Sequence, residues 1–121
     1  MSESLRATVV VPTLNEADNI DLLLGRLLEA GRKSGLSLDV IVVDDGSTDG
    51  TRERVLVWEK EHPVRLLARE RDRGLAGAVL AGAAAASADV VVVMDADGSH
   101  PPEKVADLAR PVLEGSADMA V

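Results

Sequence analysis

The feature that most constrains this chain is an unbroken apolar run, Val90-Val91-Val92-Val93-Met94, that ends directly in Asp95-Ala96-Asp97. A run with no polar alternation predicts a strand buried on both faces, as in a parallel sheet covered by helices. A second run repeats the design, with Val40-Ile41-Val42-Val43 ending in Asp44-Asp45-Gly46-Ser47. In open α/β sheets, ligands bind beyond the carboxyl ends of strands. Two acidic strand ends therefore predict one polar site at one edge of the sheet.

The remaining periodicity supplies the helices. Ile20, Leu23, Leu24, Leu27 and Leu28 recur at helical spacing after a first strand over Leu5 to Val11. Thr13-Leu14-Asn15-Glu16 has the spacing of a capping box, and Gly31 and Gly35 mark the end of that helix. Strand two is expected over Leu38 to Val43, and a helix capped within Ser47 to Gly50 runs to about Glu61, where His62-Pro63 breaks it. A short third strand over Val64 to Ala68 precedes an Ala-rich helix over Gly74 to Ser87, which Gly77 and Gly82 weaken while allowing it close to the sheet. After strand four, Pro101-Pro102 begin a last helix that Pro111 kinks or ends. Such alternation predicts right-handed crossovers and a mostly parallel sheet. The expected order is 3-2-1-4, with helices on both faces. Ala117 to Val121 reads as the start of a fifth strand, so the expected domain over residues 1–121 is incomplete at its C-terminus, with a strand edge that favours self-association.

Composition narrows the function. The 121 residues carry a net charge of −8, which argues against a general nucleic-acid binder and suits a protein that recruits a cation for an anionic substrate. Cysteine is absent, excluding disulfides and thiolate metal sites. No apolar stretch approaches the roughly 20 residues of a membrane span, and the N-terminus is too short and acidic for a signal peptide, so a cytoplasmic location is expected.

Each candidate residue also has a structural explanation. Alternation points Asp95 and Asp97 to the same side, where they could share a Mg²⁺ or Mn²⁺ ion, with Ser99 next in the series; a solvated helix-capping turn is the alternative. Asp44 and Asp45 face opposite ways, so one is expected to take a nucleobase N–H or ribose hydroxyl and the other to cap the following helix or bond backbone amides; that both merely cap the helix is the alternative. Arg65, Arg69, Arg71 and Arg73 favour a salt-bridged surface over a phosphate site, with Arg73 the phosphate candidate. His100 is more readily part of a helix start than a ligand, and Trp58 is expected to pack a helix onto the sheet. No nucleophile–base pair is evident.

Taken together, four segments resemble the inverting, family-two nucleotide-sugar glycosyltransferases of the GT-A fold, closest to the dolichyl- or polyprenyl-phosphate mannosyltransferases and glucosyltransferases. They are Val11 to Glu16, Val42 to Thr51, Arg73 to Ala78 and Met94 to Pro101, in the family's order. The resemblance implies that Pro12, Leu14, Glu16, Val43, Asp45, Arg73, Asp95 and Ala96 line the nucleotide sugar, with Leu14 where tyrosine is often found. It implies that Asp95, Asp97 and Ser99 hold Mg²⁺ or Mn²⁺ on the diphosphate of a GDP-mannose or UDP-glucose type donor. It further implies transfer to a lipid phosphate at a membrane surface, with the acceptor side in sequence beyond this chain. A nucleotide-sugar-binding module without catalysis and a sugar-phosphate nucleotidyltransferase are the alternatives, although Pro12 to Glu16 lacks the Gly-rich basic loop of the latter.

Overall fold

The structure, a computed structural model, describes residues 5–69, 75–86, 90–97 and 101–105. Its elements run β1 (Leu5–Thr13), α1 (Ala17–Ser34), β2 (Leu36–Asp44), α2 (Thr51–Glu59), β3 (Val64–Ala68), α3 (Leu75–Ala85), β4 (Val90–Val93) and a 3₁₀ turn over Pro102–Lys104. The sheet order is β3-β2-β1-β4 and every pairing is parallel, as the strand–helix alternation predicts. The continuation of the last helix, the Pro111 break and a fifth strand from Ala117 lie outside the described residues.

Alternation along the strands builds two apolar layers. Val9, Val11, Val40, Val42, Val90 and Val92 face α1 and α2, where Ile20, Leu23, Leu24, Leu27 and Val55 close over them. Val10, Ile41, Val43 and Val93 face the other way, onto Ala78 of α3. The inner strands thus bury both faces, and each fully covered Val or Ile side chain contributes about 1.5–3 kcal/mol. Gly82 is what lets α3 sit so close: a Cβ there would lie 2.4 Å from Cγ1 of Val10. Trp58 packs against the first layer, but it meets α1 as much as the sheet. Its Nε1 donates to Asp21 at 2.8 Å, and a Cβ on Gly25 would meet its ring at 3.5 Å.

Three local expectations are corrected. Thr13 belongs to β1 and caps nothing; α1 starts at Ala17 with Glu16 as N-cap and no side-chain cap of its own. Gly31 is a buried residue inside α1, against Leu38, and Gly35 alone ends the helix in the left-handed region, at φ 74°. Strands β1 and β2 each run further than their apolar cores, to Thr13 and Asp44, because parallel pairing joins even those two residues.

Candidate functional site

Parallel pairing brings the carboxyl ends of β1, β2 and β4 to one edge of the sheet, so Pro12 to Glu16, Asp44-Asp45 and Asp95-Ala96-Asp97 share it. Sheet order places β4 beside β1 on the side away from β2, which is the switch point where such folds bind ligands.

Asp44 is the hub of this edge. It is fully buried, and its carboxylate accepts from the Thr13 hydroxyl at 2.7 Å, the Ser47 amide at 2.9 Å, the Gly46 amide at 3.2 Å and Arg52 Nε at 2.6 Å, and from the Ser47 hydroxyl as well. Burial pushes the Asp44 carboxyl up, but hydrogen bonds from Ser47, Arg52 and Thr13 and from the Ser47 amide outweigh it, and the group is held below its usual value. The tight turn over these amides needs Gly46, whose φ is 103°. Asp44 is thus the aspartate that bonds backbone amides.

Around this hub the first two loops are stitched together. The Asn15 amide donates to Ser47 Oγ and the Thr48 amide to Asn15 Oδ1, both at 2.8 Å. The Glu16 amide donates to Thr51 Oγ1 at 2.9 Å and the Ala17 amide to Asp49 Oδ2 at 3.0 Å. The start of α1 is therefore capped from the other loop, through residues more than thirty positions away. The Thr51 hydroxyl in turn donates to Asp49 Oδ1, and that bond, followed by the one from the Ala17 amide, holds the Asp49 carboxyl below its usual value.

Asp45 turns away from this network and meets Arg69. Arg69 Nε donates to its Oδ1 at 2.7 Å and Nη2 to its Oδ2 at 3.1 Å, with both side chains 13% exposed. Arg69 is salt-bridged as expected, but to Asp45 and with little exposure rather than on a solvated surface. Arg65 is exposed and reaches only the Ala85 carbonyl. Arg52 was not singled out by motif, and its one signal is a place in the first turn of α2, eight residues after Asp44. The pairing of Asp45 with Arg69 follows from register: Asp44 lies opposite Ala68, so the next residues meet.

The other candidates divide by exposure. Leu14 is exposed, and Pro12 and Glu16 are half-buried at the same edge. Val43 and Ala96 are buried, so a role at a ligand falls to their backbone. Asp95 and Asp97 are exposed on either side of buried Ala96, in the turn that follows β4, past the strand whose alternation the expectation used. Arg73, Ser99 and His100 lie outside the described residues. Two carboxylates facing solvent fit a hard divalent ion that keeps water and substrate oxygens as its other ligands. Among the described residues, no group of three or more potential ligands is gathered. A groove of about 380 Å³ follows α1 and Glu103 rather than the strand ends and collects none of the candidates.

A sequence profile for the family described as Glycosyl transferase family 2 matches residues 8–121. The chain belongs to that family. Among similar family 2 proteins, a dolichol-phosphate mannosyltransferase of Pyrococcus furiosus is 39% identical over 97% of this chain and 32% of its own length. An undecaprenyl-phosphate mannosyltransferase of Micrococcus luteus is 40% identical over 97% of this chain and 47% of its own. The chain thus spans a third to a half of these relatives. In structure it resembles a mannosyltransferase from Pyrobaculum calidifontis in complex with GDP-Man and Mn²⁺, with a TM-score of 0.70 and 36% identity over 85% of this chain and 30% of that one. These neighbours are GT-A glycosyltransferases, and the parallel 3-2-1-4 sheet is the part of that fold present here. Among the described residues, no helix is long and apolar enough to cross a membrane.

Proposed function

We propose that residues 1–121 form the donor-binding part of a metal-dependent inverting glycosyltransferase that moves a hexose, with mannose favoured, from a nucleotide sugar to a polyprenyl or dolichyl phosphate. The observation that carries the proposal is the meeting of three strand ends at one sheet edge, with Asp95 and Asp97 both turned to solvent there. The two similar mannosyltransferases named above support the acceptor class, and the complex with GDP-Man and Mn²⁺ supports the donor and the ion.

In this reading Asp45 accepts a hydrogen bond from the base, and Glu16 takes the ribose. The backbone of Pro12, Leu14, Val43 and Ala96 shapes the cleft, and Arg73 meets phosphate. Asp95 and Asp97, with Ser99, would hold Mg²⁺ or Mn²⁺, which supplies charge stabilisation as the diphosphate departs. An ionised lipid phosphate is already a nucleophile, so no general base is required of these residues. Such an acceptor would bring the full-length protein to the membrane surface.

The test is calorimetry of GDP and UDP binding to the full-length protein, with Mn²⁺ and with chelator. The ion should raise the affinity for at least one nucleotide, and Asp97→Asn should abolish the gain, because removing a charged oxygen ligand weakens the ion far more than the base contacts. Equal affinity with ion and chelator overturns the proposal.

A further inference from the structure

We propose that Arg69 is a positioning residue, fixing the Asp45 carboxylate in the orientation that reads the donor's base. The inference rests on the donor-site reading and goes beyond it, since Arg69 belongs to none of the segments that carry the family resemblance. Its position is set from several directions. Its amide donates to the Asp44 carbonyl at 2.8 Å, continuing the parallel pairing one residue past β3. Its carbonyl accepts from Arg52 Nη2 at 3.2 Å, the same arginine whose Nε engages the Asp44 carboxylate. The backbone of Arg69 is thus held on both sides by the Asp44 hub. Its guanidinium then closes on Asp45 as a fork, one N–H···O bond to each carboxylate oxygen, which restricts rotation of the carboxylate. The Asp45 amide in turn donates to the Thr13 carbonyl at 3.1 Å, tying that residue to the end of β1.

The chemistry follows from lone pairs. Each carboxylate oxygen can accept more than one hydrogen bond, so the fork leaves acceptor capacity on the edge away from Arg69. Toward the ligand edge the Asp45 carboxylate offers acceptors. It would suit a base with N–H on its pairing edge, a single one as in uracil or adjacent ones as in guanine. Without Arg69 the same carboxylate would lose the fork that sets its plane and the guanidinium charge paired with it.

Binding to the full-length protein tests this, using GDP and UDP together with 1-methyl-GDP and 3-methyl-UDP, in which that N–H is replaced. The wild-type protein should favour one parent nucleotide over its methylated form. Arg69→Ala should lower the affinity for that parent on the order of tenfold and leave the methylated form nearly unchanged, because only the parent uses the carboxylate. Arg69→Lys should recover part of the preference, since lysine offers charge without the fork. The Asp45→Asn and Arg69→Ala double variant should bind the parent no more weakly than Asp45→Asn alone. Should Arg69→Ala not fold, Arg69→Lys carries the same comparison. Equal losses for parent and methylated nucleotide would mark Arg69 as merely structural and overturn the inference. So would an unchanged parent affinity in Arg69→Ala while Asp45→Asn loses it, and in that case the donor-site reading survives. If Asp45→Asn binds every nucleotide as the wild type does, Asp45 does not read the base and the inference falls with that assignment. If the wild type binds no nucleotide at all, the donor-site reading itself has failed.

Discussion

Asp44 and Asp45 are adjacent in sequence and have opposite work. Asp44 is enclosed by five donor groups and holds two loops and α2 together, whereas Asp45 turns to the Arg69 fork at the ligand edge. Strand alternation announces that they point apart, but it cannot say which points inward. Replacing Asp44 by Asn should cost about 3–5 kcal/mol, towards the low end because Arg52 is 24% exposed and water can solvate it once its partner loses charge. Urea unfolding of the variant and the wild type measures the difference. The pH dependence has a definite sign. The Asp44 carboxyl is lowered in the folded state, so its contribution is fully present above the unfolded value of about 3.9. It is lost as pH falls below that value and through the lowered one, where the folded state must take up the proton. Acid unfolding should therefore be shallower in Asp44→Asn than in the wild type below about pH 4, and an unchanged acid limb would count against the hub.

The helices illustrate how local signals mislead when a better partner lies elsewhere. Thr13 to Glu16 has capping-box spacing, yet the Thr13 hydroxyl is taken by Asp44 across 31 residues. The amides at the start of α1 are satisfied instead by Thr51 at the start of α2 and Asp49 of the loop before it. An N-cap needs only an acceptor in the right place, and β1 continuing through Thr13 removes the local one. Helix α3 is a different case. Its Ala-rich composition and the close approach that Gly82 allows are legible, but only the packed sheet shows that Val10 is the residue Gly82 meets. Gly82→Ala would gain helix propensity of about 1 kcal/mol and still lose overall, because the new methyl must push α3 off the sheet, an overpacking cost of about 1–3 kcal/mol. Pairing it with Val10→Ala should recover stability relative to the sum of the two single changes, and thermal unfolding of the four proteins checks the cycle. Strict additivity would show that the two positions do not touch.

Across the whole molecule, β1 is paired on both sides and covered on both faces, while β3 is a five-residue edge strand whose Arg65 and Ala68 are exposed. Amides of Val9 to Val11 and Val40 to Val43 should therefore exchange with solvent more slowly than those of Leu66 and Leu67, as hydrogen exchange read by NMR can measure. Equal protection of β3 would mean that the sheet opens as one unit. The order of this sheet was legible beforehand because hydrophobic periodicity is a local property and parallel crossovers have one hand. For the same reason the sequence by itself determined the alternation of strands and helices, the order 3-2-1-4 and the two acidic strand ends. Only the tertiary structure decided which groups those acids meet. The partners of Asp44, Asp45 and the first turn of α1 lie up to 35 residues away, and they are chosen by strand register and loop closure. A hydrogen bond depends on distances of a few tenths of an ångström, and no spacing of residue types along a chain carries that information until the sheet has brought the ends together.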